Sequence, residues 1–99
     1  MQTRTLSEIA ARLHRALYIA SETRGDHEHE VLDGPTPVKA WVVREREALL
    51  QAANEERVKL GKTKSLTMAQ IKVAETGALN QSDYGRTLAH TVAELVLTP

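Results

Sequence analysis

Four positions along this chain carry a small polar residue directly ahead of helix-forming sequence: Thr5, Thr36, Thr67 and Asn80. Such residues accept hydrogen bonds from first-turn amides that a helix leaves without partners, so each marks a start. Four starts separated by glycine, proline and polar turns in 99 residues predict an all-α chain, a four-helix arrangement of two longer and two shorter helices. A chain of this length is read as one helical domain over 1–99, burying roughly 60 to 65% of the surface its unfolded form exposes.

The first start is a capping box, Thr5 with Glu8, and Leu6, Ile9, Ala10, Leu13, Leu17 and Ala20 then recur at helical spacing. This helix is expected to end near Arg24 and Gly25. Residues 25–37 follow as a long connector holding four carboxylates (Asp26, Glu28, Glu30, Asp33) and two imidazoles, His27 and His29. Thr36 and Pro37 then announce a helix from about Val38 to Leu60, with Gly61 supplying its left-handed terminator. Its main stripe is Val38, Val42, Leu49, Ala52 or Ala53, and Leu60, widened by Trp41, Ala48 and Leu50 and interrupted by Glu45. The alternative over residues 28–43 is a short β-hairpin pairing HEHEVL with VKAWVV, because Val42 and Val43 also favour strands.

Thr67 and Gln70 form the third capping box, with Leu66 placed to staple onto Ile71, and the helix Met68–Thr76 is closed by Gly77. The fourth start is read at Asn80 with Asp83, Leu79 stapling onto Tyr84. Leu88, Val92, Leu95 and Val96 then share one side almost to Pro99. Aromatic residues make up only 3% of the chain and phenylalanine is absent, so the expected core is aliphatic and alanine-rich.

Thirteen basic and thirteen acidic residues cancel, which disfavours a dedicated nucleic-acid binder and leaves little repulsion between copies. Without cysteine there is no disulfide framework, thiolate metal site or cysteine nucleophile. No run approaches the roughly 20 apolar residues of a membrane span. The amino terminus lacks the apolar core of a signal peptide, and the expectation is a cytoplasmic protein with no membrane association.

Candidate chemistry is thin. Histidines two apart in the connector do not reproduce the helical i, i+4 spacing of a zinc site, so His27 and His29 are read as part of a solvated acidic loop with a capacity to respond to pH. Glu45, Glu47, Glu55 and Glu56 lack the paired motifs with which helical hydrolases hold magnesium, and are read as a solvated ion-pair face. Gly61, Lys62 and Thr63 resemble the end of a phosphate-binding loop, but Glu56 stands where its first glycine is required. Lys59, Lys62 and Lys64 make a small basic run. His14 and His90 have no triad-like company, and no catalytic, metal or cofactor residue is assigned.

The leading expectation is therefore a non-enzymatic protein–protein interaction module: an adaptor, inhibitor or regulatory subunit working through an apolar helix face, as a homodimer. Its interface candidates are Trp41, Val42, Val43, Leu49 and Leu50. The alternative is a helix-turn-helix DNA-binding regulator using the last two helices, with Asn80, Gln81, Ser82, Tyr84 and Arg86 as contacts. A metal-dependent helical hydrolase is the weaker alternative.

Overall fold

In the computed structural model residues 5–22, 31–32 and 38–99 are described, with backbone alone for 31, 32 and 38–41. The helix start at Thr36 and Pro37, the Arg24–Gly25 terminator and the connector bearing His27 and His29 lie outside the described residues, as does the side chain of Trp41. Four helices carry the fold: α1 (Leu6–Ser21), α2 (Ala40–Lys59), α3 (Met68–Ala78) and α4 (Tyr84–Val96).

At the head of α1, Thr5 Oγ1 accepts from the Glu8 amide at 3.2 Å and donates to Glu8 Oε1 at 3.1 Å. The expected box thus closes through the two side chains. Ile9, Leu13 and Leu17 form the buried stripe. The helix stops at Ser21, short of Arg24. Ser21 Oγ donates to the Tyr18 carbonyl at 2.7 Å and the Glu22 amide is shared between the carbonyls of Tyr18 and Ile19, a tightened last turn that ends a helix without glycine.

β1 (Val31–Leu32) and β2 (Val38–Lys39) pair antiparallel, Val31 with Lys39 and Leu32 with Val38. Among the described residues the alternative hairpin over 28–43 is present as this ladder of two residues a side, and Val42 and Val43, which it assigned to a strand, are helical. Its presence corrects the start of α2 from Val38 to Ala40. At the other end the prediction holds. Gly61 has φ 79°, its amide reaches the Val58 carbonyl at 3.0 Å, and the Lys62 amide reaches the Arg57 carbonyl at 2.9 Å, the paired bonds of a Schellman turn.

The α3 cap is complete: the Gln70 amide donates to Thr67 Oγ1 and the Thr67 amide to Gln70 Oε1 at 2.9 Å. Leu66 and Ile71 are both buried, as a staple requires. Gly77 does not close this helix. Ala78 is fully buried, and α3 runs on through Gly77 to place it in the core. That extension carries Asn80 into the following turn, so α4 starts at Tyr84 rather than Asn80. Asp83 occupies the cap position without a side-chain cap bond, and Leu79 and Tyr84 stay exposed rather than forming a buried staple. α4 ends at Val96, three residues before Pro99.

All four helices meet in one aliphatic core in which Ile9, Leu13, Leu49, Ile71, Val92 and Val96 are the largest fully buried side chains. α1 packs against α2 and α4, and α3 against the same two. Leu49 and Ala53 continue the α2 stripe as predicted, but the next positions on it, Glu56 and Arg57, are also buried at 3% exposure. Glu56 therefore does not belong to the solvated face expected of it. Its Oε2 accepts from Lys59 at 3.2 Å, and Arg12 Nη1 lies 3.7 Å from its Oε1. Arg57 points along the core to the end of α4, where Nη1 donates to the carbonyls of Leu95, Val96 and Thr98 at 3.2, 2.9 and 2.9 Å.

Candidate functional site

Leu17, Leu49, Ile71 and Leu88, one residue from each helix, form the floor of a cleft of about 370 Å³. Each is buried because it lies on the inward stripe of its helix, so the floor of the cleft belongs to the core itself. Val42 stands half-buried on one wall, while Leu79 and Tyr84 sit exposed on the rim across from it. Clefts of roughly this size, apolar with a few fixed polar groups, are where proteins take small ligands or anchor side chains.

The polar part of the wall is a bidentate pair between α2 and α3. Arg46 Nε donates to Glu75 Oε2 at 3.0 Å and Nη2 to Oε1 at 2.6 Å, with both side chains less than a fifth exposed. The hydrogen bond to Glu75 raises the Arg46 pKa above its ordinary value, outweighing the opposing effect of burial, and the charges of Glu75 and Tyr84 add to it. A raised folded-state pKa gives stability that is complete at every pH below the ordinary guanidinium range and lost only above it, so Arg46 stays charged throughout the working pH range. A double-mutant cycle on Arg46→Ala and Glu75→Ala should give a coupling of about 1.5 kcal/mol, more than the roughly 0.2–1 of exposed pairs. A coupling near zero in denaturant titrations would remove the pair as a brace of the cleft.

Of the interface candidates, Leu49 is fully buried and Leu50 half-buried against the core; Val42 lines the cleft and Val43 is half-buried beside it in sequence. The DNA-contact candidates divide. Asn80, Gln81 and Ser82 are exposed in the turn before α4, leaving Tyr84 and Arg86 on the helix. Arg86 Nε pairs with Asp83 at 3.3 Å, and Tyr84 belongs to the cleft rim.

Both described histidines are engaged locally. His90 Nδ1 lies 3.0 Å from Glu94 Oε1, and His14 packs beside Gly85, where an added methyl would meet its Nε2 at 3.6 Å. In the basic run, Lys59 is tied to Glu56, and Thr67 and Gln70 occupy the amides at the head of α3 that an anion would need. Among the described residues no three of His, Cys, Asp and Glu come together to hold a metal ion, and no helix is long and apolar enough to cross a membrane.

Sequence reading missed the cleft and the buried pair Glu56–Arg57 for different reasons. The pair had a signal: the apolar stripe of α2 lapses between Ala53 and Leu60, where helical spacing demands inward-facing residues at 56 and 57. The cleft had none, because it depends on how far apart four packed helices stand. No family model, curated protein or solved structure matches the chain.

Proposed function

We propose that this chain is a small cytoplasmic, non-enzymatic interaction module, an adaptor, inhibitor or regulatory subunit, that receives an apolar anchor side chain of a partner protein in the four-helix cleft. The observation that carries the reading is a cleft that reaches down to core residues of all four helices and has exposed Leu79 and Tyr84 at its rim. Exposed apolar groups around a recess lose water only when something fills it, and partner anchors bury themselves in such recesses. The Arg46–Glu75 pair supports the same reading, since a cross-braced wall keeps the recess open without a ligand to prop it.

A photo-crosslinking amino acid in place of Tyr84 should trap a discrete protein adduct in cells of the native host, whereas the same group at Thr63, on the exposed α2–α3 connection, should not. Adding Leu79→Asp should cut the adduct by about tenfold, the loss expected on spoiling one anchor contact. The proposal fails if position 84 gives no adduct, or the same adducts as position 63.

A further inference from the structure

Arg46 brings more hydrogen-bond donors to the cleft than Glu75 uses. The fork on Glu75 is made by Nε and Nη2, which occupies one edge of the guanidinium and leaves the N–H groups of Nη1 on the other. Nη1 has no acceptor among the described residues, and it is not sealed from solvent as Arg44 Nε and Nη2 are. Because Glu75 already fixes the group, an incoming acceptor has no side chain to immobilise.

The charge of the lining narrows what that acceptor can be. Glu45, Arg46 and Glu75 are the charged residues of the cleft, two carboxylates against one guanidinium. Beside the rim, Arg86 is paired with Asp83 and adds no net charge. An anion entering here meets the excess carboxylate, whereas a cation meets the unused donors of Arg46. A neutral oxygen meets neither penalty, and its bond to a charged donor is stronger than one between neutral groups.

We propose that the cleft binds an apolar side chain together with an uncharged carbonyl beside it, the carbonyl accepting from Arg46 Nη1. This rests on the reading of the cleft as an anchor site, and it specifies what the anchor is attached to. A main-chain carbonyl inside a helix already accepts from the amide one turn on, while one in an unpaired extended segment has no such partner. The partner therefore presents its anchor from an extended segment and not from the middle of a helix.

Two probes with the same side chain test this on the isotope-labelled full chain by amide NMR: N-acetyl-leucine N-methylamide, which is neutral, and N-acetyl-leucine, which is ionised at neutral pH. The neutral probe should bind with a dissociation constant on the order of 1–10 mM, as expected of about a dozen non-hydrogen atoms, and should shift the Arg46 Nε–H signal with the amides of Glu75, Leu79 and Tyr84. The carboxylate probe should bind about fivefold more weakly, the effect of a partly screened charge. Glu75→Gln should reverse that order, because the Arg46 charge then lacks its partner. Both probes are compared on one folded variant, so a change in its stability does not enter the ratio. Glu45→Gln, outside the pair, should narrow the gap without reversing it.

Equal affinities in the unaltered chain, tighter binding of the carboxylate probe, an order unchanged by Glu75→Gln, or no shift of the cleft signals up to about 50 mM probe overturns the proposal. The crosslink from position 84 is decided separately. An adduct there without any probe preference leaves the anchor reading standing and removes only the carbonyl.

Discussion

Arg57→Ala should destabilise the fold by about 3 kcal/mol, because a buried carbonyl that loses its donor costs roughly 1–3 kcal/mol and this one side chain serves four. Nε donates to the Lys64 carbonyl at 2.6 Å, holding the α2–α3 connection, while Nη1 serves Leu95, Val96 and Thr98 at the end of α4. Leu95 and Val96 lie in the last turn of α4, whose carbonyls have no amide of the next helical turn to accept from, although Leu95 also accepts from the Thr98 amide at 3.1 Å and hydroxyl at 2.6 Å, and a cation is favoured there by the helix dipole as well. Some of the four are only partly buried and will find water in the variant, which is why the expected loss is not the sum of four.

In a domain of this size about 3 kcal/mol lowers the thermal midpoint by on the order of 15 °C, read by calorimetry or by urea titration. Arg57→Lys should recover only part of it, since an ammonium cannot span the Lys64 carbonyl and the α4 terminus together as a guanidinium fork does. Arg57→Met keeps the volume but not the donors, and should resemble alanine. If Arg57→Ala costs less than about 1 kcal/mol, the four bonds are not holding the C-terminal turn. Hydrogen exchange gives an independent readout: protection should fall at the Leu66 amide, which Asn54 holds at 2.7 Å next to the loosened loop.

Legibility in the sequence follows the range of the interaction concerned. Thr5, Thr67 and Gly61 act on residues within one turn of themselves, and all three were readable because their partners are fixed by helix geometry alone. Asn80 and Gly77 carry the same local signals, yet neither sets a helix boundary. The burial of Ala78 extends α3 through the glycine and turns the asparagine into a loop residue, a tertiary demand that local propensity does not contain. The start of α2 moved for a related reason, Val38 being taken by its pairing with Leu32. Arg46 and Glu75 lie 29 residues apart, and only the packing of α2 on α3 brings them together.

Leu49→Ala should cost about 3 kcal/mol, the middle of the range for deleting a fully buried leucine, because its surroundings belong to all four helices and cannot all close on the gap. The stripe of α2 makes Leu49 inward-facing, and the structure gives it two duties at once, as a fully buried core residue and as floor of the cleft. Val42, half-buried on the cleft wall, should lose only about 1 kcal/mol on truncation to alanine, in keeping with its smaller buried volume. Urea titration of the two variants separates these roles. Equal losses would mean that the cleft floor is no more part of the core than its wall. Leu79→Asp completes the comparison: at 63% exposure its substitution should leave stability within about 0.5 kcal/mol while cutting the crosslink from position 84 about tenfold. A protein in which Leu49 controls folding and Leu79 controls only capture has its partner surface built directly on its core, so partner binding and fold stability are coupled. Partner saturation at a hundred times its dissociation constant should then return about 2.7 kcal/mol, most of what Leu49→Ala removes, provided the variant still binds.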